Sequence, residues 1–595
     1  MNAGYVSALE ASEAQPMTSH TTPVDTLRSR LAHEPRTLQF GTSGRRGLLE
    51  HLSQLEVFVN ALAELEYLQS LPLAEGGIVR GEAFFFAYDL RPSSSRLVDG
   101  EPRRGELAQA VERAILAAGM RPVNLGRIPT PALTCYAVSR GKGSIMVTGS
   151  HIPFDRNGYK TNTSRGELLK HHEQPIDEKV REVRERLYGQ PFADSPFDEH
   201  GLFKAGHLEL SAESGEAAAA YIERYADFFG NECLKGLRLL VYEHSAVGRD
   251  LLADILRRLG AEAVVAGRSE AFVPIDTENI DAAQLAIVQA LYDEAAARHG
   301  RIDAVVSTDG DSDRPLILGV DAEASAVRFF GGDLVGMIAA EYLGADAAVV
   351  PISCNDAIDR GKLKDIVEPK TRIGSPYVIA GMEMARARGK RAVCGWEANG
   401  GFLTGSDIHR NGKILKALPT RDAVLPILAA LCASRERGLT LTELFASLPE
   451  RYSRAALLKQ FPRPVGLEIV RRFSPSDRAI GEARFSPDSL SVLSTEGRQL
   501  EAADEELRVL EAVRRELAGF FTADLGFGAI TALNFIDGVR VRFDNGDVAH
   551  LRPSGNADEL RIYAVADTQK RADAIAAMAV AEPDGILRRL ERLVR

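Results

Sequence analysis

The sequence predicts a multidomain α/β protein, three α/β units followed by one α+β unit. Three observations point there. The chain has 595 residues, 45% hydrophobic and 26% charged, an ordinary globular composition. At ~150 residues per domain, that length corresponds to about four domains, each large enough to bury a core unaided. Short apolar runs alternate with helical patterns up to about residue 440. Beyond it the alternating runs 539–543 and 548–551 flank Asp544-Asn545-Gly546, a strong hairpin signal.

Residues 1–35, rich in Ala, Ser, Thr and Glu, read as a mobile extension. The first α/β unit occupies 36–200. Its Phe84-Phe85-Phe86-Ala87-Tyr88 run is a buried strand, and a helix over 106–119 places Leu107, Val111, Ile115 and Leu116 on one face. Strands follow at 122–125 and 144–148, the second running into Gly149-Ser150-His151. A polar stretch at 193–206 reads as a linker. The second unit, 205–325, has strands at 237–243, 263–266 and 303–308 and a helix over 247–259. The third, 326–440, has helices over 334–343 and 377–388 and strands over 347–352 and 391–396. The fourth, 441–595, holds the hairpin, a strand over 560–565 and a helix from Thr568. Three similar units in tandem suggest a repeat that residue identities alone do not establish.

Composition narrows function. With 72 basic and 83 acidic residues the net charge is −11, so a general nucleic-acid or anionic-membrane binder is excluded. None of the five cysteines forms a C-x-x-C pair, which argues against a zinc ribbon and for a reducing compartment, the cytoplasm. Glu10 and Glu13 interrupt the N-terminus early, so no secretory signal is expected, and no 18-residue apolar run suggests a membrane span.

Five short segments carry candidate chemistry. Ser150, with His151 beside it, follows a strand, where α/β sheets expose reactive groups, and Lys160 lies ten residues on. The segment lacks the G-x-S-x-G elbow of hydrolases, and taken alone a turn is the commoner reading. Asp309, Asp311 and Asp313 place three carboxylates at spacing two after an apolar strand, a hard-oxygen set suited to Mg²⁺. An EF-hand is excluded, because Arg314 and Val320 occupy its Gly and Glu positions. Glu397 and Asn399, in a glycine-flanked loop, suit paired sugar hydroxyls, while Trp396 reads as core. Arg552, Ser554, Gly555 and Asn556 could cradle a phosphate. Arg46 sits in a glycine-rich segment and could reach an anion.

Together, in this order, these segments resemble the α-D-phosphohexomutase family, which includes phosphomannomutases and phosphoglucomutases. The resemblance spans about 38–440 and resumes near 535–580. It implies four domains around a central cleft, each supplying one loop, with hinge movement of the fourth closing the cleft. It implies that Ser150 is the phosphorylated serine, that Asp309, Asp311 and Asp313 bind Mg²⁺ together with the serine phosphate, and that Arg314 flanks the metal. By the same resemblance Glu397 contacts sugar hydroxyls, with Asn399 beside it in the loop. Arg552, Ser554, Gly555 and Asn556 hold the non-transferred phosphate, and Arg46, Lys160 and His151 lie near the moving phosphoryl group. The implied reaction interconverts hexose 6-phosphate and hexose 1-phosphate through a hexose 1,6-bisphosphate, which is both intermediate and activator.

Departures from the family pattern are local. Ile152 stands where Asn is usual, Asn399 replaces the sugar-loop serine, and Asp558 adds negative charge near the phosphate loop. The stretch 455–530 reads as an insertion, with a helical segment at 502–517. Phosphomannomutase is the leading reading and phosphoglucomutase the second. Phosphoglucosamine mutase fits the sugar and serine loops less well. A metal-dependent phosphatase or glycosyltransferase leaves Ser150 and the phosphate loop unexplained, and a non-catalytic sugar-phosphate binder does not need an intact serine and three aspartates. The sequence is silent on oligomeric state.

Overall fold

The computed structural model describes residues 25–98, 101–278, 280–321, 323–554 and 558–595. The first domain is built on a sheet of β1 (Arg45–Leu48), β2 (Ala83–Tyr88), β3 (Arg121–Asn124), β4 (Ser144–Val147) and β5 (Arg156–Thr163). Spatially the order is β3-β2-β4-β5-β1. β2 runs parallel to both β3 and β4, while β5 turns back antiparallel to β4 and to β1. Helices cover the sheet: α1 (Gln54–Ser70), α2 (Leu107–Ala117), α3 (Thr130–Val138) and α4 (Lys170–Tyr188). A central strand with helices on both faces must be apolar throughout, and Phe84, Phe85, Phe86, Ala87 and Tyr88 are all buried. α1 opens on Ser53, whose hydroxyl accepts the Glu56 N–H.

The second domain repeats this plan. It comprises α5 (Glu216–Phe229), β6 (Arg238–His244), α6 (Arg249–Arg258), β7 (Glu262–Arg268), α7 (Ala282–His299), β8 (Ala304–Thr308), β9 (Pro315–Asp321) and β10 (Ala326–Phe329). Its strand order is β7-β6-β8-β9-β10, again a parallel trio followed by an antiparallel return. The third domain has α8 (Gly332–Leu343), β11 (Ala347–Val349), α9 (Ser375–Ala387), β12 (Val393–Trp396), β13 (Phe402–Thr404), the hairpin β14 (Ile408–Arg410) and β15 (Lys413–Leu415), β16 (Leu418–Asp422) and α10 (Val424–Arg437). β11 and β12 are parallel and β13 returns antiparallel. The missing outer strand survives as two isolated parallel bridges, Ala348 to Val367 and Pro351 to Thr371. Topology thus supplies the repeat that residue identities could not.

The fourth domain is a single eight-stranded sheet ordered β17-β24-β23-β22-β21-β18-β19-β20. Its strands are β17 (Tyr452–Lys459), β18 (Ile480–Ser486), β19 (Ser489–Ser494), β20 (Gln499–Leu500), β21 (Ile530–Asn534), β22 (Val539–Phe543), β23 (Val548–Pro553) and β24 (Glu559–Ala566). α11 (Arg463–Arg472), α12 (Asp504–Ala518) and α13 (Gln569–Val580) belong to the same domain. One apolar core runs continuously through the first three domains, including Trp396 stacked on Phe402, whereas the fourth has a core of its own. Arg451 clasps the junction. Its Nε and Nη2 donate to the Asp356 carboxylate at 2.7 and 3.0 Å, and its Nη1 donates to Asp567 at 2.8 Å.

The structure places the three connecting segments. Residues 1–24 of the expected extension lie outside the described residues, but residues 25–31 are held: Leu27 is buried and its N–H donates to the Gln190 carbonyl. The 193–206 stretch packs on the first domain, because Phe197 and Phe203 bury their rings against Phe58. The 455–530 segment is woven into the last sheet, where β17 pairs with β24 and β18 with β21. Its 502–517 stretch is helix α12, packed through Leu510, Val513 and Leu517.

Candidate active site

Four of the five segments singled out in the sequence occupy the same topological position, the connection from a strand to its antiparallel neighbour; the fifth, with Arg46, lies in β1 itself. Ser150 lies between β4 and β5, Asp309–Arg314 between β8 and β9, Glu397–Asn399 between β12 and β13, and Ser554 between β23 and β24. The shared plan brings the first three loops into one cleft.

The serine loop is sharply built. Thr148 Oγ1 donates to Asp89 and accepts the Ser150 N–H at 2.7 Å. Ser150 itself sits at φ +55°, a left-handed conformation that costs a non-glycine residue about 1 kcal/mol or more. Arg91 holds it there. Its buried guanidinium donates to the carbonyls of Ser150 (2.9 Å), Ile152 (2.5 Å), Pro153 (2.9 Å) and Arg156 (3.1 Å) and stacks over Phe272 from the second domain. Ile152 therefore contributes its backbone to the loop, whatever its side chain.

The serine meets the acidic loop directly, Ser150 Oγ donating to Asp309 Oδ2 at 2.8 Å. Gly310 permits the approach, since a Cβ there would lie 2.5 Å from the Ser150 carbonyl. Lys160, on β5, donates to Asp311 at 2.6 Å and Asp313 at 2.5 Å. Thr130, at the first turn of α3, donates to Asp311 at 2.6 Å. All three carboxylates are buried, each with an oxygen within 4.8 Å of the others. Burial and the two neighbouring carboxylates push Asp309 up to about 8. Burial acts the same way on Asp313, but Arg421, Lys160 and Arg314 outweigh it and hold that carboxyl well below the usual range. Asp311 Oδ1 and Asp313 Oδ1 are buried without a hydrogen-bond partner. Two orphaned carboxylate oxygens beside Asp309 Oδ2 and Ser150 Oγ form a donor set that fits a hard divalent cation.

Positive charge surrounds this centre. In β1 successive residues face opposite sides. Arg45 turns into the domain, pairing with Glu64 at 2.7 Å, while Arg46 feels Asp311, Asp313, Arg314 and Arg421. Burial and those two arginines lower Arg46 to about 10, and its Nε is buried without a partner. His151 Nδ1 lies 3.4 Å from Ser150 Oγ. Burial, then Arg314 and Arg46, depress its pKa far below 6.5, so the imidazole is neutral at pH 7. Arg314 Nε is 3.6 Å from Asp313.

Arg421 was not singled out in the sequence, and it joins two loops. Its Nε and Nη2 donate to Asp313 Oδ2 at 3.1 and 2.9 Å, and its Nη1 donates to Glu397 at 2.9 Å. Asn399 does not present its carbonyl oxygen to the cleft; Oδ1 accepts the Gly401 N–H at 2.9 Å, closing a turn. Glu278, also unforeseen, lies within electrostatic reach of Arg314, Arg561 and Glu397, and burial with Asp276 raises it to about 6. It lines a cavity of about 570 Å³ together with Ala398, Arg451 and Tyr563, between the second, third and fourth domains. Ser150 is not on that cavity wall, so the cavity adjoins the sugar loop rather than the serine.

In the fourth domain Arg552 pairs with Asp537 at 3.1 Å, and Ser554 is buried. Strand register sets Arg561 directly across from Arg552, a second guanidinium beside this loop. Gly555 and Asn556 lie outside the described residues. Asp558 is engaged elsewhere, its carboxylate accepting the Arg463 N–H at the start of α11 at 3.0 Å.

Comparison with known proteins bears on this arrangement. Models of the phosphoglucomutase/phosphomannomutase family match as α/β/α domain I at residues 37–187, α/β/α domain III at 331–452 and the C-terminal domain at 495–582. A phosphomannomutase of Sinorhizobium fredii is 37% identical over 543 residues, covering 91% of this chain and 98% of the relative. One of Salmonella muenchen is 35% identical over 539 residues, covering 90% and 93%. A solved phosphoglucomutase/phosphomannomutase family protein of Burkholderia thailandensis superimposes with a TM-score of 0.57 over 91% of this chain and 98% of its own, at 17% identity, a likeness of fold.

Proposed function

The chain belongs to the phosphoglucomutase/phosphomannomutase family, and on that premise we propose that it is a phosphohexomutase, acting first as a phosphomannomutase. The substrates are hexose 6-phosphate and hexose 1-phosphate, exchanged through a phosphorylated Ser150 and a hexose 1,6-bisphosphate. The observation that carries the proposal is Ser150 Oγ on Asp309 at 2.8 Å, inside a ring of three carboxylates and four basic side chains.

Asp309, Asp311 and Asp313, with the phosphate of Ser150, would hold Mg²⁺, which supplies charge neutralisation when bound. The rest falls to the chain itself. Phosphoryl transfer needs positioning and charge stabilisation more than covalent chemistry. Arg46 and Lys160 stabilise charge on the moving phosphoryl group, and Arg314 stabilises it from the metal side. The sugar hydroxyl attacks phosphorus, the bond from phosphorus to Ser150 Oγ breaks, and the hydroxyl proton passes to a base. Neutral His151, 3.4 Å from Oγ, is placed to accept it. The bisphosphate then turns over, and its other phosphate returns to Ser150. Glu397, fixed by Arg421, serves the hydroxyls in both orientations. Arg552 and Ser554, with Arg561 opposite, hold whichever phosphate is not transferred. Gly555 and Asn556 complete that loop in the proposal.

No helix among the described residues is long and apolar enough to cross a membrane, and all five cysteines are free, which supports a cytoplasmic placement. The test compares kcat/KM for mannose 1-phosphate and glucose 1-phosphate with Mg²⁺ and bisphosphate activator. A preference for mannose 1-phosphate is expected, and a large preference for glucose 1-phosphate would reassign the enzyme as a phosphoglucomutase. Release of inorganic phosphate without isomerisation would instead favour a phosphatase.

A further inference from the structure

A second charged site lies outside the cleft, where the first three domains meet. A cavity of about 250 Å³ is enclosed by α3, α5 and the end of the β14–β15 hairpin. Ala132, Tyr136, Ala217 and Leu415 make most of its wall apolar. Arg224 of α5 enters the same wall.

Arg224 is unusual among the described arginines. Both Nε and Nη2 are buried without a hydrogen-bond partner, whereas every other described arginine with an orphaned nitrogen has only one. These two nitrogens form one edge of the guanidinium, the edge that grips a carboxylate with two parallel bonds. The protein uses that edge elsewhere: Arg451 takes Asp356 with Nε at 2.7 Å and Nη2 at 3.0 Å. At Arg224 no carboxylate or carbonyl takes that edge; the Cys135 thiol on the same wall interacts with the guanidinium, but a thiol is a weak acceptor. Asp422, the carboxylate that acts on it electrostatically, is already committed to the hydroxyls of Tyr221 and Tyr225 and to the N–H groups of Val424 and Leu425. Arg224 is partly exposed and its guanidinium lies 5.8 Å from the Tyr225 ring centroid, but a buried N–H edge without an acceptor is costly, so a site that retains one is organised for an external anion. Lys416, which also lines the cavity near the exposed Asp227, is already paired with Asp407 at 2.8 Å, so Arg224 is the wall's one cation without an ion-pair partner and matches a monoanion better than a phosphate dianion.

We propose that this cavity binds a small organic monocarboxylate, its head on the Nε–Nη2 edge of Arg224 and its compact apolar body against Ala132, Ala217 and Leu415. The site is separate from the substrate cleft: its walls share no residue with the serine, metal, sugar or phosphate loops. The full chain is titrated with benzoate and with butyrate, followed by saturation-transfer NMR, with neutral benzamide as control. Saturable binding of at least one carboxylate and none of benzamide is expected. Arg224→Gln should weaken that binding at least tenfold. Ala220→Glu, one turn before Arg224 on the exposed face of α5, should fill the fork from within and abolish binding while leaving the melting temperature unchanged or higher. Arg552→Gln should leave binding unchanged, because the phosphate loop takes no part. The proposal is overturned if neither carboxylate binds saturably, if benzamide binds equally, if Ala220→Glu binds like the wild type, or if Arg552→Gln removes the binding.

Discussion

Replacing Arg421 with Lys tests how the metal loop and the sugar loop are joined. Arg421 is buried and makes three charge-assisted hydrogen bonds, two to Asp313 and one to Glu397. A lysine carries one ammonium on a flexible stem and cannot span both carboxylates. Hydrogen bonds to charged groups contribute about 1.5–3 kcal/mol each, and breaking a buried ion pair costs about 3–5 kcal/mol. With at least one carboxylate left uncompensated, a loss of about 3–4 kcal/mol in unfolding free energy is expected. Freed from its arginine, Glu397 should also position sugar hydroxyls poorly and lower kcat/KM about 100-fold, about 2.7 kcal/mol of transition-state stabilisation. Urea unfolding and steady-state kinetics read the two effects separately. A double-mutant cycle with Glu397→Gln should give a coupling of about 1–3 kcal/mol, because the pair is in contact. Wild-type stability together with wild-type kcat/KM in Arg421→Lys would refute the reasoning.

Two further outcomes follow from the same charges. Lys160→Met removes the cation that sits on Asp311 and Asp313, so Mg²⁺ should bind roughly tenfold tighter by calorimetry while kcat falls about 100-fold or more, the usual size of a lost charge stabiliser; weaker Mg²⁺ binding with unchanged kcat would contradict it. Stability should fall as pH drops from 6.5 towards 4. Burial holds His172, His244 and His550 at about 4 in the folded chain, so between those values the unfolded state binds more protons, and each histidine costs about 1.4 kcal/mol per pH unit. Asp309 and Glu278, raised to about 8 and about 6, offset part of this slope, so the check compares variant with wild type: His244→Gln should flatten the fall in melting temperature between pH 7 and pH 5, and an unchanged slope would exclude the contribution.

The parts of the site that could be read from the sequence share a local signature. Ser150, Asp309 and Glu397 each lie within three residues of the end of a short buried strand, so a buried run ending in polar residues announces both the strand and its loop. The repeat could not be read that way, because it lives in strand order, including an outer strand reduced to two bridges. Arg91 and Arg421 were also out of reach. Arg91 lies 59 residues before the serine carbonyl it holds, and Arg421 lies 108 residues after Asp313. Nothing in their own segments says which carboxylate or carbonyl the fold will bring to them. Arg45 and Arg46 show how strand alternation separates neighbours that look equivalent in sequence, one to the core and one to the cleft. The phosphate loop was legible as turn chemistry, yet its second arginine, Arg561, needed the register of β23 and β24.

The central claim is that Ser150 carries the phosphoryl group between substrate positions. It is tested most directly by incubating the protein with a hexose 1,6-bisphosphate and Mg²⁺, then mapping phosphorylation by peptide mass spectrometry alongside mutase activity. The account predicts one phosphoryl group on Ser150, lost to a hexose monophosphate on chase, with Ser150→Ala neither labelled nor active above about a thousandth of the wild-type rate while keeping its fold. Near-normal turnover by Ser150→Ala, or a label on another residue that persists in that variant, would contradict it.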